Sequence, residues 1–415
     1  MEYLRPQAHE LIDRISGVPD RIIAVFGPRQ TGKTTAVRQA LRRVPGEHLY
    51  VAVDRPEQIG GRFRPSESLA AQAEPETRDG RWLVRVWQEA RRQASESDGR
   101  FVLVLDEIQK VDGWSDVVKG LWDALRAEGP PMFVVILGSS PLLMQSGLHE
   151  SLAGRFEPVR FNHWSSGEMS EAFGLDLDRY VYFGGYPGAA PFIRDGDRWR
   201  EYVSGALIEP VIERDVLAMT RVDKPALLKR LFDMGALYSG QVLSYNKMLG
   251  QLQDAGNTTT LSRYLKLLSD AGLLTGLPRH TLRPISAKAS TPKLNVLNTA
   301  LMSVASGYGF NEARSDRTFW GRLVESAVGA HLLNTSGPGT EVRYWRESGR
   351  EVDFVLRRGH RVVGIEVKTG RTPYRHSGLE AFDERFRPHR ILIVGPEGLP
   401  LKEFLSRPAD DWFGS

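Results

Sequence analysis

The sequence predicts an α/β protein that opens on a parallel-sheet phosphate-loop domain and closes on a second, smaller sheet. Three stretches carry that expectation: RIIAVFGPRQTGKTT at 21–35, FVLVLDE at 101–107, and the paired segments REVDFVL and RVVGIEVKTG within 350–370.

In the first stretch, Ile22, Ile23, Val25 and Phe26 form a buried-strand run, and residues 35–41 follow with a helical pattern. Between them lies the Walker A spacing, Gly27, Pro28, Arg29, Gln30, Thr31, Gly32, Lys33, Thr34 and Thr35. Gly27 and Gly32 let successive N–H groups turn inward around a phosphate chain, where a Cβ would obstruct. Lys33 is expected to reach the β- and γ-phosphates of ATP, and the Thr34 hydroxyl to ligate Mg²⁺ at the positive end of the helix that begins there.

In the second stretch, an apolar strand from Phe101 to Leu105 delivers Asp106 and Glu107 to its carboxyl end. That edge is where ligands of open parallel sheets collect. Asp106 is expected to hold Mg²⁺ and Glu107 to polarise the attacking water. MFVVILGSS adds a strand whose Ser139 and Ser140 can orient that water or sense the γ-phosphate. ESLAGRFEPVRF then presents Arg155, which can stabilise charge on the transferred phosphoryl group, from a neighbouring subunit if the protein is a homo-oligomer; otherwise it is a surface ion-pair partner.

Composition excludes several classes. The chain has 415 residues, with 41% hydrophobic and 26% charged, which suits two to four domains. It has no cysteine, so disulfides and thiolate metal sites are out, and its nine histidines show no HExxH spacing. No apolar run approaches the roughly 20 residues of a membrane span, and the opening lacks a signal-peptide pattern, so the expected location is the cytoplasm with no membrane partner. The net charge of +4 is modest, but Arg350, Arg357, Arg358, Arg361, Lys368, Arg371 and Arg375 crowd one segment, as either a solvated face or a nucleic-acid surface.

The rest of the chain reads in order. Residues 1–20 suggest a lead-in helix with Leu4, Leu11 and Ile15 inward, and Leu49 to Asp54 a second strand; 55–100 is polar, with a helix in its second half. Residues 165–225 are helical, with a turn at Gly184, Gly185 and Pro187. Three short helical patterns and a basic turn at Pro278, Arg279 and His280 suggest a winged helix. Its third helix is expected to be capped by Thr259 or Thr260, with Leu261, Leu265 and Leu268 inward and Arg263 and Lys266 outward.

The last constellation is acidic. Glu366 and Lys368 are two apart and share a strand face, Asp353 sits on the preceding strand across a short turn, and Glu325 rides an amphipathic helix upstream. Two carboxylates and a lysine are what a metal-dependent phosphodiesterase needs, with Asp353 and Glu366 holding Mg²⁺ or Mn²⁺, Lys368 positioning water, and Glu325 completing the site. The plain alternative is a solvated sheet face.

With SLAGR at 151–155, GGYP at 184–187, IERDV at 212–216, YWRE at 344–347 and REVDF at 350–354, the chain resembles a widespread prokaryotic AAA+ ATPase family over essentially its whole length. The resemblance implies a P-loop AAA+ parallel-sheet core (1–164), a helical lid (165–224) whose Gly184–Pro187 turn packs near the nucleotide, a winged-helix-like middle (225–290) and a C-terminal PD-(D/E)XK-like α/β domain (291–415), similar to restriction endonucleases. The chain departs at Asn298, where such proteins usually carry Asp. The expected function is an Mg²⁺-dependent ATPase that couples nucleotide state to nucleic-acid binding, with nuclease activity open. The alternatives are a nucleotide-gated switch with a silent nuclease-like domain, and an enzyme using ATP as a nucleotidyl donor.

Overall fold

The computed structural model describes residues 3–54, 78–216, 222–252, 256–282, 291–370 and 377–414. Arg371 and Arg375 of the basic segment, and residues 55–77 of the polar stretch, lie outside the described residues. The chain divides into two compact units, Met1–Phe161 and Asn162–Ser415.

The first unit is built on five parallel strands, β1 (Ile22–Phe26), β2 (Glu47–Ala52), β3 (Phe101–Asp106), β4 (Met132–Gly138) and β5 (Phe156–Arg160), in the order β2-β3-β4-β1-β5. Alternate residues of each strand face opposite sides of the sheet, and the core divides accordingly. Ile22, Ala24, Leu103, Leu105, Val134 and Ile136 pack with Trp82, Trp87 and Trp122 of helices α3 (Gly80–Glu96) and α4 (Trp114–Glu128). Ile23, Val25, Val102, Val104 and Val135 pack with Leu11, Ile15, Val37 and Ala40 of α1 (Pro6–Ser16) and α2 (Lys33–Arg43). A sheet buried on both faces leaves its carboxyl edge, where β1 and β3 end, as the place for polar groups.

The second unit begins with the helices Ser166–Phe173 and Leu177–Phe183. The Gly184–Gly185 turn packs within this unit: a Cβ on Gly184 would stand 1.9 Å from Asn298 Oδ1, and one on Gly185 2.1 Å from the Trp164 carbonyl oxygen. Asn298 is a cap, accepting from Ala300 N at 3.2 Å and Gly185 N at 3.1 Å, while its Nδ2 lies 3.3 Å from His163 Nδ1. An amide can supply both the acceptor and the donor here; a carboxylate offers acceptors alone.

Helices Pro225–Leu237, Tyr245–Gln251 and Thr258–Asp270 precede an antiparallel pair, β6 (Leu274–Leu277) and β7 (Lys293–Val296). The third helix buries Leu261, Leu265 and Leu268 as expected, but its cap is Asn257, whose Oδ1 accepts from Thr260 N at 2.8 Å. β7 lies beyond residue 290 and still pairs with β6, Leu277 opposite Lys293.

His280 is no part of a basic turn. It is buried at 6% exposure against Phe382 and Phe386, and burial, helped by Arg343 and Arg357, lowers its pKa from 6.5 to about 4. The folded state therefore binds fewer protons than the unfolded one, and the stability this group contributes is lost as pH falls from 6.5 toward 4. His280→Phe is expected to flatten that acid-side loss, read as urea midpoints across the window.

The last sheet has the order β11-β10-β9-β8, from β8 (Thr340–Glu347), β9 (Arg350–Arg358), β10 (Arg361–Val367) and β11 (Arg390–Val394). β8, β9 and β10 are antiparallel neighbours, and β11 joins β10 in parallel. Helix Arg317–Thr335, capped by Asp316 accepting from Thr318 N and Phe319 N, packs in this unit against β7 and β10. Among the described residues no helix is long and apolar enough to cross a membrane.

Candidate active site and the C-terminal carboxylate cluster

The phosphate loop turns on Gly27 at φ 155° and Gly32 at φ 87°. A Cβ at position 27 would stand 1.9 Å from the Phe161 carbonyl oxygen, so only glycine allows this approach. Lys33 Nζ donates back to the carbonyl oxygens of Gly27 at 2.9 Å and Pro28 at 2.7 Å, which keeps the ammonium over the loop. Thr31 is buried and its hydroxyl donates to Pro28 O at 3.0 Å; Pro28 and Arg29 are half-buried; Gln30, at φ 56°, and Thr35 are exposed. The start of α2 at Lys33 aims its first-turn N–H groups and its dipole at the loop.

Residues far apart in sequence meet here. Thr34 Oγ1 donates to Asp106 Oδ2 at 3.2 Å, bringing together the hydroxyl and carboxylate expected to share a magnesium ion. Ser139 Oγ donates to Glu107 Oε2 at 2.8 Å, and Gln109 Nε2 donates to the same oxygen. Glu107 itself takes a left-handed backbone conformation, φ 58°, an arrangement that costs energy and clusters at functional sites. Ser140, beside it, is buried and its hydroxyl has no hydrogen-bond partner among the described residues.

Arg155 is not brought to this cluster. It precedes β5 at the amino edge of the sheet, next to Ile22, whereas the loop follows the carboxyl end of β1. Its guanidinium forks onto Asp123 of α4 at 2.8 and 2.9 Å. Within its own chain it does not reach the phosphate loop.

Two further side chains enter that sequence spacing does not single out. The Tyr50 hydroxyl donates to Asp106 Oδ2, and burial together with the Asp106 charge pushes its pKa above the usual phenol range. Arg5, buried before α1, donates to the Thr31 carbonyl oxygen at 2.6 Å. A tyrosine late in β2, next to β3, was the available signal for the first; nothing local marks the second.

In the second unit, the hairpin expected between Asp353 and Glu366 is present, turning at 359–360. Asp353 Oδ2 accepts from Val367 N at 2.8 Å, and Glu366 Oε1 accepts from Lys368 Nζ at 2.5 Å. Glu325 also arrives, but its partner is one the sequence reading lacks. Lys293 Nζ, on β7 and fully buried, lies 2.6 Å from Glu325 Oε1 and 3.4 Å from both Glu351 Oε1 and Asp353 Oδ1. It also donates to the Asp353 carbonyl oxygen at 3.1 Å. Burial alone lowers the pKa of Lys293, but the charges of Glu325, Asp353 and Glu351 outweigh it and hold the ammonium above the usual lysine range. Burial raises Glu325 and Glu366, each pushed further by Asp353. A lysine opening the apolar run KLNV was the available signal, because a buried charge requires a partner.

These carboxylates do not fit a divalent metal. A hard dication takes about six oxygen ligands, yet both Asp353 oxygens accept hydrogen bonds and Glu325 Oε1 is held by the Lys293 ammonium at 2.6 Å, so the cluster is already neutralised by a side chain. Among the described residues no group of three or more His, Asp or Glu side chains is placed to hold a metal ion.

The first unit is thus a P-loop domain of the nucleotide-binding type. Comparison with known proteins agrees: residues 19–170 match a family model described as an AAA domain, and 174–312 and 320–403 match two domains of unknown function. The N-terminal part of the chain carries an AAA domain with a nucleotide-binding P-loop. An uncharacterized protein of Haemophilus influenzae is 22% identical over 311 residues, covering 72% of this chain and 73% of its own length. A solved Walker-type ATPase of Pyrococcus abyssi shares the fold at a TM-score of 0.51 and 14% identity, over 74% of this chain and 96% of that one.

Proposed function

We propose that the chain is an Mg²⁺-dependent ATPase whose nucleotide state governs nucleic-acid binding by its second unit. The observation that carries the ATPase half is the meeting of Thr34 with Asp106 and of Glu107 with Ser139, two contacts spanning 72 and 32 residues. Lys33 and the loop N–H groups bind the triphosphate, and Glu107, steadied by Ser139 and Gln109, takes the proton of the attacking water. Thr34 and Asp106 would hold Mg²⁺, which neutralises charge on the phosphoryl group.

The nucleic-acid half is supported by a groove of about 680 Å³ in the second unit, lined by Lys247, Arg279, Arg346, Tyr344 and Ser348. Against the one carboxylate in its lining, Glu347, the three cations leave the groove net positive, which suits a phosphodiester backbone. Binding of labelled DNA and RNA is expected to weaken with salt at a log–log slope of roughly −3, about one per phosphate contact, and to change at least tenfold between ATP-loaded and nucleotide-free protein. Lys33→Ala is expected to abolish that nucleotide effect. Equal affinity in both states would leave an ATPase without the proposed coupling.

Because Arg155 sits at the amino edge of its own sheet, a role in phosphoryl transfer requires a second copy of the chain. In that homo-oligomer, turnover per subunit is expected to rise with protein concentration, and Arg155→Ala to remove the rise. Turnover independent of concentration in the parent protein would reduce Arg155 to its ion pair with Asp123.

A further inference from the structure

We propose that Lys293 is the resident cation of the C-terminal carboxylate site, standing where a nuclease-like fold would place its divalent metal. The inference uses the second unit alone and is independent of the ATPase reading.

A sheet carrying Asp353 on β9 opposite Glu366 and Lys368 at the end of β10, with Glu325 on the adjoining helix, has the acidic residues for a metal-dependent phosphodiesterase. What such a site requires is a concentrated positive charge between the carboxylates. Here that charge is already present and covalently attached: Lys293 Nζ is fully buried, within 2.6 Å of Glu325 and 3.4 Å of Asp353. Its aliphatic stem has no route to solvent, and its ammonium lies 5.0 Å from the Phe354 ring centre. A divalent ion entering this space would meet a like charge held by three carboxylates.

The ammonium differs from a metal in what it can do. It is saturated with protons and offers no open coordination position, so it binds no water for deprotonation and polarises no phosphoryl oxygen as a Lewis acid. It does supply a mechanical link. Lys293 belongs to β7, paired with β6, and its head reaches helix Arg317–Thr335 and β9. The same ion cluster therefore joins the helical middle region to the C-terminal sheet. On this reading the C-terminal unit does not cleave phosphodiesters, and its carboxylates serve to hold two substructures together.

Mn²⁺ binding followed by electron paramagnetic resonance tests this. The full chain is titrated in an Asp106→Asn background, which silences the phosphate-loop metal site. The Lys293 parent is expected to show no Mn²⁺ binding that depends on Asp353, and Lys293→Ala to bind Mn²⁺ at least tenfold more tightly, an increase lost on adding Asp353→Asn. Stoichiometric Mn²⁺ binding by the Lys293 parent that Asp353→Asn abolishes would overturn the proposal. If Lys293→Ala does not fold, the parent decides alone, with plasmid nicking as its second measurement: no Mn²⁺-dependent nicking supports the inference, and nicking removed by Asp353→Asn refutes it.

Discussion

Glu107→Gln is expected to lower ATP turnover by roughly 10²–10⁴-fold, the usual contribution of a positioned general base, while leaving nucleotide affinity within about threefold. The geometry separates the two effects. Affinity rests on the loop N–H groups, Lys33 and the Thr34–Asp106 pair, none of which the substitution touches. Turnover rests on an oxygen able to accept a proton. A glutamine keeps an amide oxygen that can still accept from Ser139 Oγ and Gln109 Nε2, so the side chain stays where the glutamate was. What is lost is basicity. Phosphate release and nucleotide titration on the same preparation check the split, and parental turnover in the glutamine variant would remove Glu107 from the chemistry. A fall in both quantities together would instead indicate that the left-handed backbone at 107 had relaxed and disturbed the strand end.

The nucleotide site was legible from sequence because its signals are local. A strand, a glycine-punctuated loop and a helix follow one another within 25 residues, and a second apolar strand ends in its own carboxylates. Each motif carries its structural context with it, and the parallel sheet brings their carboxyl ends together. The same topology places Arg155 at the opposite edge, since a residue that opens a parallel strand cannot lie where its neighbour's strand ends. The Asp353–Glu366 hairpin was legible for a similar reason, two alternating strands joined by a short turn.

Long-range pairing of side chains was not legible. Lys293 meets Glu325, Glu351 and Asp353 across 32 to 60 residues and three different elements, and no periodicity in the sequence encodes that meeting. His280 looked basic beside Pro278 and Arg279, and only the packing of Phe382 and Phe386 over it explains its neutral form. Asn257, two to three residues earlier, displaced the two threonines as helix cap, a shift close to the uncertainty of helix ends.

Lys293→Met is expected to destabilise the second unit by about 3–5 kcal/mol, the cost of removing one partner from a buried ion cluster. Methionine matches the length and apolar character of the lysine stem, so cavity formation contributes little and the loss is electrostatic. Glu325, at 19% side-chain exposure, and Asp353, at 15%, would face each other with no ammonium between them, so Glu325, already raised by burial, must take up a proton or stay charged without a partner, whereas Glu351, at 32% and also 3.7 Å from Arg346, would be less affected. The double variant Lys293→Met/Glu325→Gln removes one of those orphaned charges and is expected to recover a substantial part of the loss, because replacing both members of a buried pair costs far less than breaking it. Urea unfolding monitored at Trp345, which lies in the C-terminal sheet near Phe382, reports on this unit. A single variant as stable as the parent would mean that the ammonium is solvated in solution and that the cluster does not hold β7 to the carboxylate helix. A double variant weaker than the single would show that Glu325 has a stabilising partner other than Lys293, and that the link between the helical middle region and the sheet runs through that contact instead.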